Sequence, residues 1–153
     1  MKVSAKADYA VRAAAELAAS QPTGSLVRAE TIATAQGIPQ RFLENILSDL
    51  RHAGLVQSQR GAEGGHRLNR PAAEISVADI IRAVDGPLAA VRGERPESVS
   101  YAGAAEPLQR VWIAVRKNLR DVVEQVSLAD LAAGALPRTV DALADDPEAW
   151  TTR

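Results

Sequence analysis

The side chains in this sequence that could carry chemistry are few, and the composition removes whole classes of chemistry. The chain has no cysteine and two histidines, His52 and His66. Thiolate metal sites, thiolate-held iron–sulfur clusters, disulfides and cysteine nucleophiles are therefore excluded. No Ser-His-Asp arrangement, catalytic carboxylate pair or metal-ligand spacing is present either. The sequence predicts neither an enzyme nor a bound cofactor, so its useful chemistry must be hydrogen bonding and charge.

One predicted helix, 39–52, concentrates groups that bind anions and base edges. Its apolar side is formed by Phe42, Leu43, Ile46, Leu47 and Leu50, and its polar side by Gln40, Arg41, Glu44, Asn45, Ser48 and Arg51. A shorter helix is predicted just before it, over 28–36, and Gly37 stops that helix. Two short helices around a glycine turn are typical of a helix-turn-helix, whose second helix lies in the major groove of DNA. Two core helices with a solvated outer face are the alternative at this point.

A predicted β-hairpin follows this helix pair directly. Residues 55–60 and 66–70 have the composition of short strands, and a glycine-rich loop, 61–65, separates them. Glycines allow a loop backbone to approach a sugar-phosphate chain, and Arg60 and Arg67 flank the loop with positive charge. Alone, such a loop could also be a nucleotide-binding loop or a plain turn. After a helix-turn-helix it predicts a wing, so we expect a mainly α fold with a small β-hairpin wing.

The charge distribution agrees with a DNA-facing front half. The first 70 residues carry nine basic and six acidic side chains, whereas residues 71–153 carry nine basic and thirteen acidic ones. A basic segment favours the approach to phosphates, and an acidic segment stays solvated. The basic excess is small, so charge supports the winged-helix interpretation without carrying it.

A long amphipathic helix is predicted from Pro107 to about Val126. Its apolar stripe, at spacings of three and four residues, comprises Leu108, Val111, Trp112, Val115, Leu119, Val122 and Val126. A helix of roughly 30 Å cannot bury such a stripe against so small a domain. We therefore expect it to pair with the same helix of a second chain, giving a homodimer. The alternative is that the helix folds back onto its own domain.

The predicted organisation has four parts, and capping-box patterns at 76–79 and 127–130 mark two of the helix starts. The parts are a winged helix-turn-helix DNA-binding domain (1–86), a linker or sensor loop (87–104), a dimerisation helix with a short capping helix (105–136), and a flexible tail (137–153). No apolar run approaches the length of a membrane span, so we expect no membrane partner and a cytoplasmic protein.

Several of these stretches together resemble the Rrf2 family of winged helix-turn-helix regulators, whose members include iron–sulfur, nitric-oxide and cysteine-metabolism regulators. The matching stretches are 6–11, 42–47, 50–56, 60–61 with 64–65, 79–81 with 85–87, and 127–131. They follow one another in order through residues 2–133, which makes the resemblance specific. It implies a homodimeric transcriptional repressor that binds a palindromic operator in double-stranded DNA.

The resemblance also implies roles for individual residues. Glu44 in the recognition helix would accept a hydrogen bond from a base edge such as N4 of cytosine. The DNA backbone would be contacted by Tyr9, Arg41, Asn45, Arg51, Ser58 and Arg60. Gly64 and Gly65 would let the wing enter the minor groove. His66 stands where the family usually has an aromatic residue, and we expect it to donate to a phosphate or to enter a narrow minor groove.

The resemblance leaves the signal open. Cluster-bearing members of the family place three cysteines in the loop before the long helix, whereas the loop here, Val91 to Glu106, contains neither cysteine nor histidine. We therefore expect a regulator without a cluster that responds to a small molecule or a protein partner. Arg92, Arg95 and Tyr101 could contact an anionic ligand, and a solvated loop is the alternative. For the whole chain, the alternative is a winged-helix module that binds protein and not DNA, although such a surface should expose apolar anchors.

Overall fold

The computed structural model describes all residues from 1 to 153 and contains seven α-helices and one two-stranded antiparallel sheet. The elements are α1 (Ala5–Ser20), α2 (Ala29–Gln36), α3 (Gln40–His52), β1 (Val56–Gln59), β2 (Gly65–Leu68), α4 (Val77–Asp85), α5 (Leu108–Val123), α6 (Leu128–Ala133) and α7 (Arg138–Ala144). This order confirms the predicted mainly α fold with a β-hairpin wing. None of the helices combines the length and the apolar character that crossing a membrane requires.

The core forms around α1, whose buried side is built largely from alanine. Ala10, Ala13 and Ala14 are completely buried. Their small side chains let α2, α3, α4 and α6 approach α1, so that five helices share one hydrophobic core. The helix begins at Ala5 because the hydroxyl of Ser4 accepts a hydrogen bond from the backbone amide of Ala7 at 2.9 Å.

Helix α6 returns to this core after the long helix, so the first domain does not end at residue 86 as predicted. Leu128 is fully buried in the core, and its amide donates to the carbonyl of Ile75 at 2.9 Å. The amide of Val77 donates to the carbonyl of Val126 at 2.9 Å. Val126 is therefore buried within its own protomer, and its assignment to the dimer surface is wrong. The long helix ends earlier than predicted, at Val123, because the chain leaves it to make these contacts.

Two capping boxes meet where α4 and α6 begin. The hydroxyls of Ser76 and Ser127 accept hydrogen bonds from the backbone amides of Asp79 and Asp130, respectively. Each aspartate carboxylate accepts one in return from the amide of its serine. The two serines also pair with each other as an antiparallel bridge. Both predicted capping boxes are confirmed, and the starts of the two helices are fixed to one another.

The segment after Pro137 has regular structure, which corrects the expectation of a flexible tail over 137–153. It forms α7 and a 3₁₀ turn at Pro147–Trp150. No side chain in either element is buried, and the segment is held by local bonds and by a hydrogen bond of 2.6 Å that the hydroxyl of Thr139 donates to Oε1 of Gln125. Proline has a backbone geometry suited to a helix start, and the indole Nε1 of Trp150 donates to the carbonyl of Ala144 at 2.5 Å.

Candidate nucleic-acid interface

Helix α3 exposes a polar face because its opposite side holds it on the core. The buried side consists of Leu43, Ile46, Leu47 and Leu50. Since an α-helix has 3.6 residues per turn, Arg41 and Asn45 point away from this side, and Glu44 and Arg51 lie on one flank. All four of these predicted site residues are exposed. Groups of these types in this position can bind phosphates and base edges.

The turn before α3 sets the orientation of that face. Gly37 has a left-handed backbone, with φ of 62°, and follows directly after α2. The amide of Ile38 then donates to the carbonyl of Ala33 at 3.0 Å, which closes the end of α2. Ile32 and Ile38 are buried and fix both helices on the core. The pair α2–α3 is thus the predicted helix-turn-helix.

Phe42 is exposed, although the sequence places it on the apolar side of α3. It is 56% exposed, and its ring lies beside that of Tyr9 in α1, with 6.3 Å between the centroids. The guanidinium of Arg12 lies 4.8 Å from the centroid of the Tyr9 ring, close enough for a cation–π interaction. Phe42 is at the edge of the apolar stripe, where helical spacing does not separate core from flank. The result is an aromatic edge along α3 that could contact a thymine methyl group.

The wing, formed by β1, β2 and the loop between them, is attached to the chain before α2. Val27 and His66 exchange backbone hydrogen bonds of 2.8 and 2.7 Å, which adds a third short extended segment. Arg28 donates from Nη1 to the carbonyl of Ala62 in the loop at 3.0 Å. Sequence reasoning missed Val27 and Arg28 as supports of the wing. The only local signal was the apolar pair Leu26-Val27, which is too short to predict a strand.

His66 and Ser58 bind each other across the hairpin. A hydrogen bond of 2.6 Å joins Nδ1 of the ring to the hydroxyl oxygen. The pKa of His66 lies below its ordinary value, first because burial removes water from the ring and then because Arg51 adds positive charge, while Glu30 acts in the opposite direction. The ring is therefore neutral at pH 7, which makes it a weaker phosphate ligand than expected. Its evident role is to join the two strands of the wing next to the loop.

Gly64 and Gly65 are required by the backbone of the wing itself. A Cβ on Gly64 would lie 2.2 Å from the carbonyl oxygen of Gln59, and a Cβ on Gly65 would lie 2.8 Å from that of Val27. Neither distance is compatible with a side chain, so both glycines have a structural reason independent of DNA. Insertion of this loop into the minor groove stays a prediction.

The face shared by α3 and the wing carries unpaired charge. Arg41, Arg51 and Arg60 form no ion pair, and neither does Glu44. All four side chains belong to exposed residues. Three guanidinium groups and one carboxylate without ion pairs on α3 and the wing suit a polyanion that also presents a hydrogen-bond donor, and a DNA groove has both.

Helix α5 offers a second candidate surface. None of its 16 residues is buried, although the helix is apolar along one side. Val111 is 49% exposed, and the half-buried members of the predicted stripe are Leu108, Trp112, Val115, Leu119 and Val122. The indole Nε1 of Trp112 donates to the hydroxyl of Tyr101 in the linker at 3.1 Å. The stripe therefore has only partial cover within one protomer.

Known proteins match the chain over most of its length. A family model described as "Rrf2: Iron-dependent Transcriptional regulator" matches residues 3–134. An HTH-type transcriptional regulator of Mycobacterium tuberculosis is 50% identical over 146 residues, covering 95% of this chain and 90% of that protein. The solved structure of CymR, the global cysteine regulator of Bacillus subtilis, superposes with a TM-score of 0.73 at 32% identity, covering 88% of this chain and 98% of CymR. The structure of T. potens IscR superposes with a TM-score of 0.67 at 33% identity, covering 100% of this chain and 93% of IscR.

Proposed function

We propose, from the premise that this chain belongs to the Rrf2 family of transcriptional regulators, that it binds a palindromic operator as a homodimer through α3 and the wing. The relatives are HTH-type regulators, so the chain is a DNA-binding transcriptional regulator and not an enzyme. The observation that carries the proposed docking is the exposed face of α3, where Arg41, Glu44 and Arg51 form no ion pair, together with the unpaired Arg60 at the start of the wing loop.

In the proposed complex, different residues recognise the bases and bind the phosphates. Glu44 has no ion pair and is repelled by phosphates, so it gains by accepting a hydrogen bond from N4 of cytosine in the major groove. Arg41 and Asn45, which point away from the core, and Arg51 on the flank bind phosphates that border the same groove. Arg60 at the start of the wing loop binds the backbone of the adjacent minor groove. Tyr9 and Ser58 extend the backbone contacts on either side.

The homodimer is supported by the incomplete cover of α5. A stripe of aliphatic side chains and one tryptophan with no fully buried member favours a second copy of the same helix. Two chains paired in this way are related by a two-fold axis, and each recognition helix then binds one half-site. Because the protein is symmetric, the operator is expected to be a palindrome. A dimer bound at a promoter represses transcription without any further activity of the chain, and we propose repression of this kind as the mode of action.

Iron, which the family description names, does not fit the side chains of this chain. The linker between α4 and α5 contains neither cysteine nor histidine. Nowhere do three or more His, Cys, Asp or Glu side chains gather in a way that could hold a metal ion. The two histidines lie on α3 and β2, and the ring of His66 is already bound to Ser58. We therefore propose a regulator whose signal is not an iron–sulfur cluster.

A protein-binding role for the same face is the second candidate, and the exposed aromatic edge of Phe42 and Tyr9 favours it. Protein interfaces are enriched in aromatic residues at their centre. Here the aromatic edge is on one side of α3, and the part of the helix opposite the core is polar and bears Arg41 and Asn45. That distribution favours DNA.

Selection from random-sequence DNA tests the proposal, because it requires no operator to be chosen in advance. Wild-type protein should enrich one sequence with two-fold symmetry. Arg41→Ala should weaken binding to that sequence, whereas Arg138→Ala, which removes an equal charge from α7, should leave it unchanged. Failure to enrich any sequence, or equal weakening by the two substitutions, would show that α3 is not the DNA-binding surface.

A further inference from the structure

An open pocket of about 350 Å³ lies where α4, the linker and α5 meet. Its charged lining consists of Arg82, Arg95, Arg116, Arg120 and Glu97, and none of the lining residues belongs to α3 or the wing. Arginines at this density outside the DNA-facing surface are unexpected in the acidic half of the chain. DNA binding through α3 and the wing therefore does not account for the charge of this pocket.

Two of these arginines are held by carboxylates of the same chain. Arg116, whose side chain is 15% exposed, forms an ion pair with Glu97 of the linker. Arg82 of α4 forms one with Glu124, just beyond the end of α5. The pKa of Glu97 lies below its ordinary value because a backbone amide, and next the Arg116 guanidinium, donate hydrogen bonds to its carboxylate. These pairs fix the walls of the pocket.

The other two arginines are less completely paired, because Arg120 shares the carboxylate of Glu124 with Arg82 and only at 3.9 Å. Arg95 forms no ion pair. The Nε of Arg120 is buried and has no hydrogen-bond partner, since the nearest carboxylate oxygen, on Glu124, is 3.9 Å away. A buried donor without a partner is destabilising and in a native protein points to a missing acceptor. Four guanidinium groups thus face two carboxylates, which leaves two positive charges unbalanced.

The backbone beside the pocket is also strained. Ala89 and Arg92 have φ of 54° and 52°, in the left-handed region that residues with side chains rarely adopt. The linker is held in this shape from its other end, where Val99 is buried and its carbonyl accepts a hydrogen bond from Gln109 of α5 at 2.7 Å. Such strain persists where the surrounding structure fixes it, and it gathers at ligand-binding sites.

We propose that this pocket binds a small dianion, a phosphate or a short dicarboxylate, and that the bound anion regulates operator affinity. Two unbalanced guanidinium groups match two negative charges, and planar guanidinium groups bind both kinds of oxyanion in bidentate fashion. An acceptor placed there would satisfy Nε of Arg120. The regulatory part rests on the proposed function, because the pocket joins α4 of the DNA-binding core to the helix proposed to form the dimer. An anion that draws Arg95 of the linker and Arg120 of α5 together would shift the linker against α5 and so alter the packing of α5 in the proposed dimer.

Calorimetric titration of the full-length chain tests the binding part, with inorganic phosphate, succinate and acetate as probes at constant ionic strength. Phosphate or succinate should bind saturably, whereas the monoanion acetate should not. Arg120→Gln should weaken the binding by about tenfold, the loss of one charged hydrogen bond. Glu97→Gln should strengthen it, because Arg116 becomes free to bind the ligand, and Arg138→Gln is the control with equal charge loss. Absence of saturable binding at millimolar concentrations, or equal weakening by Arg120→Gln and Arg138→Gln, would overturn the site.

A DNA titration with and without the saturating anion tests the regulatory part. Operator affinity of the wild type should change in the presence of the anion, and that of Arg120→Gln should not. A change of equal size in both proteins would be general screening and would overturn the regulatory role. If the protein binds the anion but binds no DNA sequence, the proposed function is wrong and the proposed anion site is still supported. If the operator binds and the pocket takes no anion, this inference alone fails.

Discussion

The unpaired carboxylate of Glu44 and the unpaired guanidinium of Arg60 allow base reading and phosphate binding to be separated by two substitutions. Both residues are exposed and form no ion pair, so neither Glu44→Ala nor Arg60→Ala should alter the fold. Any effect on binding can therefore be attributed to the DNA contact. Equal thermal unfolding midpoints of the three proteins check this premise.

The two substitutions should differ in kind. A carboxylate that accepts from cytosine N4 contributes about 1–3 kcal/mol to discrimination, so Glu44→Ala should reduce the preference at one symmetric pair of operator positions by about 5- to 150-fold. Binding to unrelated DNA should hold or improve, because a negative charge leaves the interface. Arg60→Ala should weaken binding to all sequences alike. With about 0.9 counterions released per phosphate contact, its salt slope should fall by about one per protomer, or about two for a dimer.

The assay is a fluorescence anisotropy titration of each protein against the selected operator and its single-position mutants at several salt concentrations. The assignment would be reversed if Glu44→Ala weakened every sequence equally and Arg60→Ala changed the preference at one position. If neither substitution affected binding, α3 and the wing would not be the DNA-binding surface, and the protein-binding candidate would take precedence.

Three further predictions concern assembly, the wing and pH. Val111→Glu adds a charge to the exposed part of the α5 stripe and should give monomers by light scattering, whereas Arg110→Glu on the polar side of α5 should not; a monomeric wild type would contradict this reasoning. Gly64→Ala forces a Cβ against the backbone and should lower the thermal unfolding midpoint. Gly24→Ala should lower it less, because the space there is open and only the left-handed backbone conformation costs energy, about 1 kcal/mol. Equal unfolding midpoints of the two variants would contradict this prediction. Folding lowers the pKa of His66, so the neutral ring contributes stability above the unfolded pKa, and this contribution is lost as pH falls through the lower folded value. Chemical denaturation should therefore show a free energy of unfolding that declines below about pH 6.5, and His66→Gln should reduce this decline. The same pH profile in both proteins would contradict the prediction.

Local signals in the sequence predicted the helix starts and the hairpin well. A capping box places a serine and its partner three residues apart, so Ser76 and Ser127 could be identified from the local pattern alone. The glycine-rich loop between two short polar strands has the same local character. The roles proposed for Glu44 and its neighbours, by contrast, come from resemblance, because spacing alone shows which residues share a face and not what that face binds.

The errors share a physical cause, which is that they depend on partners far along the chain. Val126 continues the apolar spacing of α5, and only its hydrogen bond with Val77 shows that the helix has already ended. Phe42 has the spacing of a core residue, and the position of Tyr9 on another helix leaves it at the edge. The bridge between Val27 and the wing likewise joins segments that no local pattern connects.

The bridge between the two capping boxes has a consequence for spacing along DNA. It ties the start of α6 to the start of α4, and Val126 also binds Val77, so only a short connection after Val123 separates the proposed dimer helix from the core that carries α3. In the proposed dimer, the distance and angle between the two recognition helices are then set by α5 packing alone. Adding one base pair between half-sites moves them apart by about 3.4 Å and rotates one relative to the other by roughly 34°. A dimer built this rigidly would act as a gauge of half-site separation, rejecting operators whose half-sites are correct in sequence but shifted by one step.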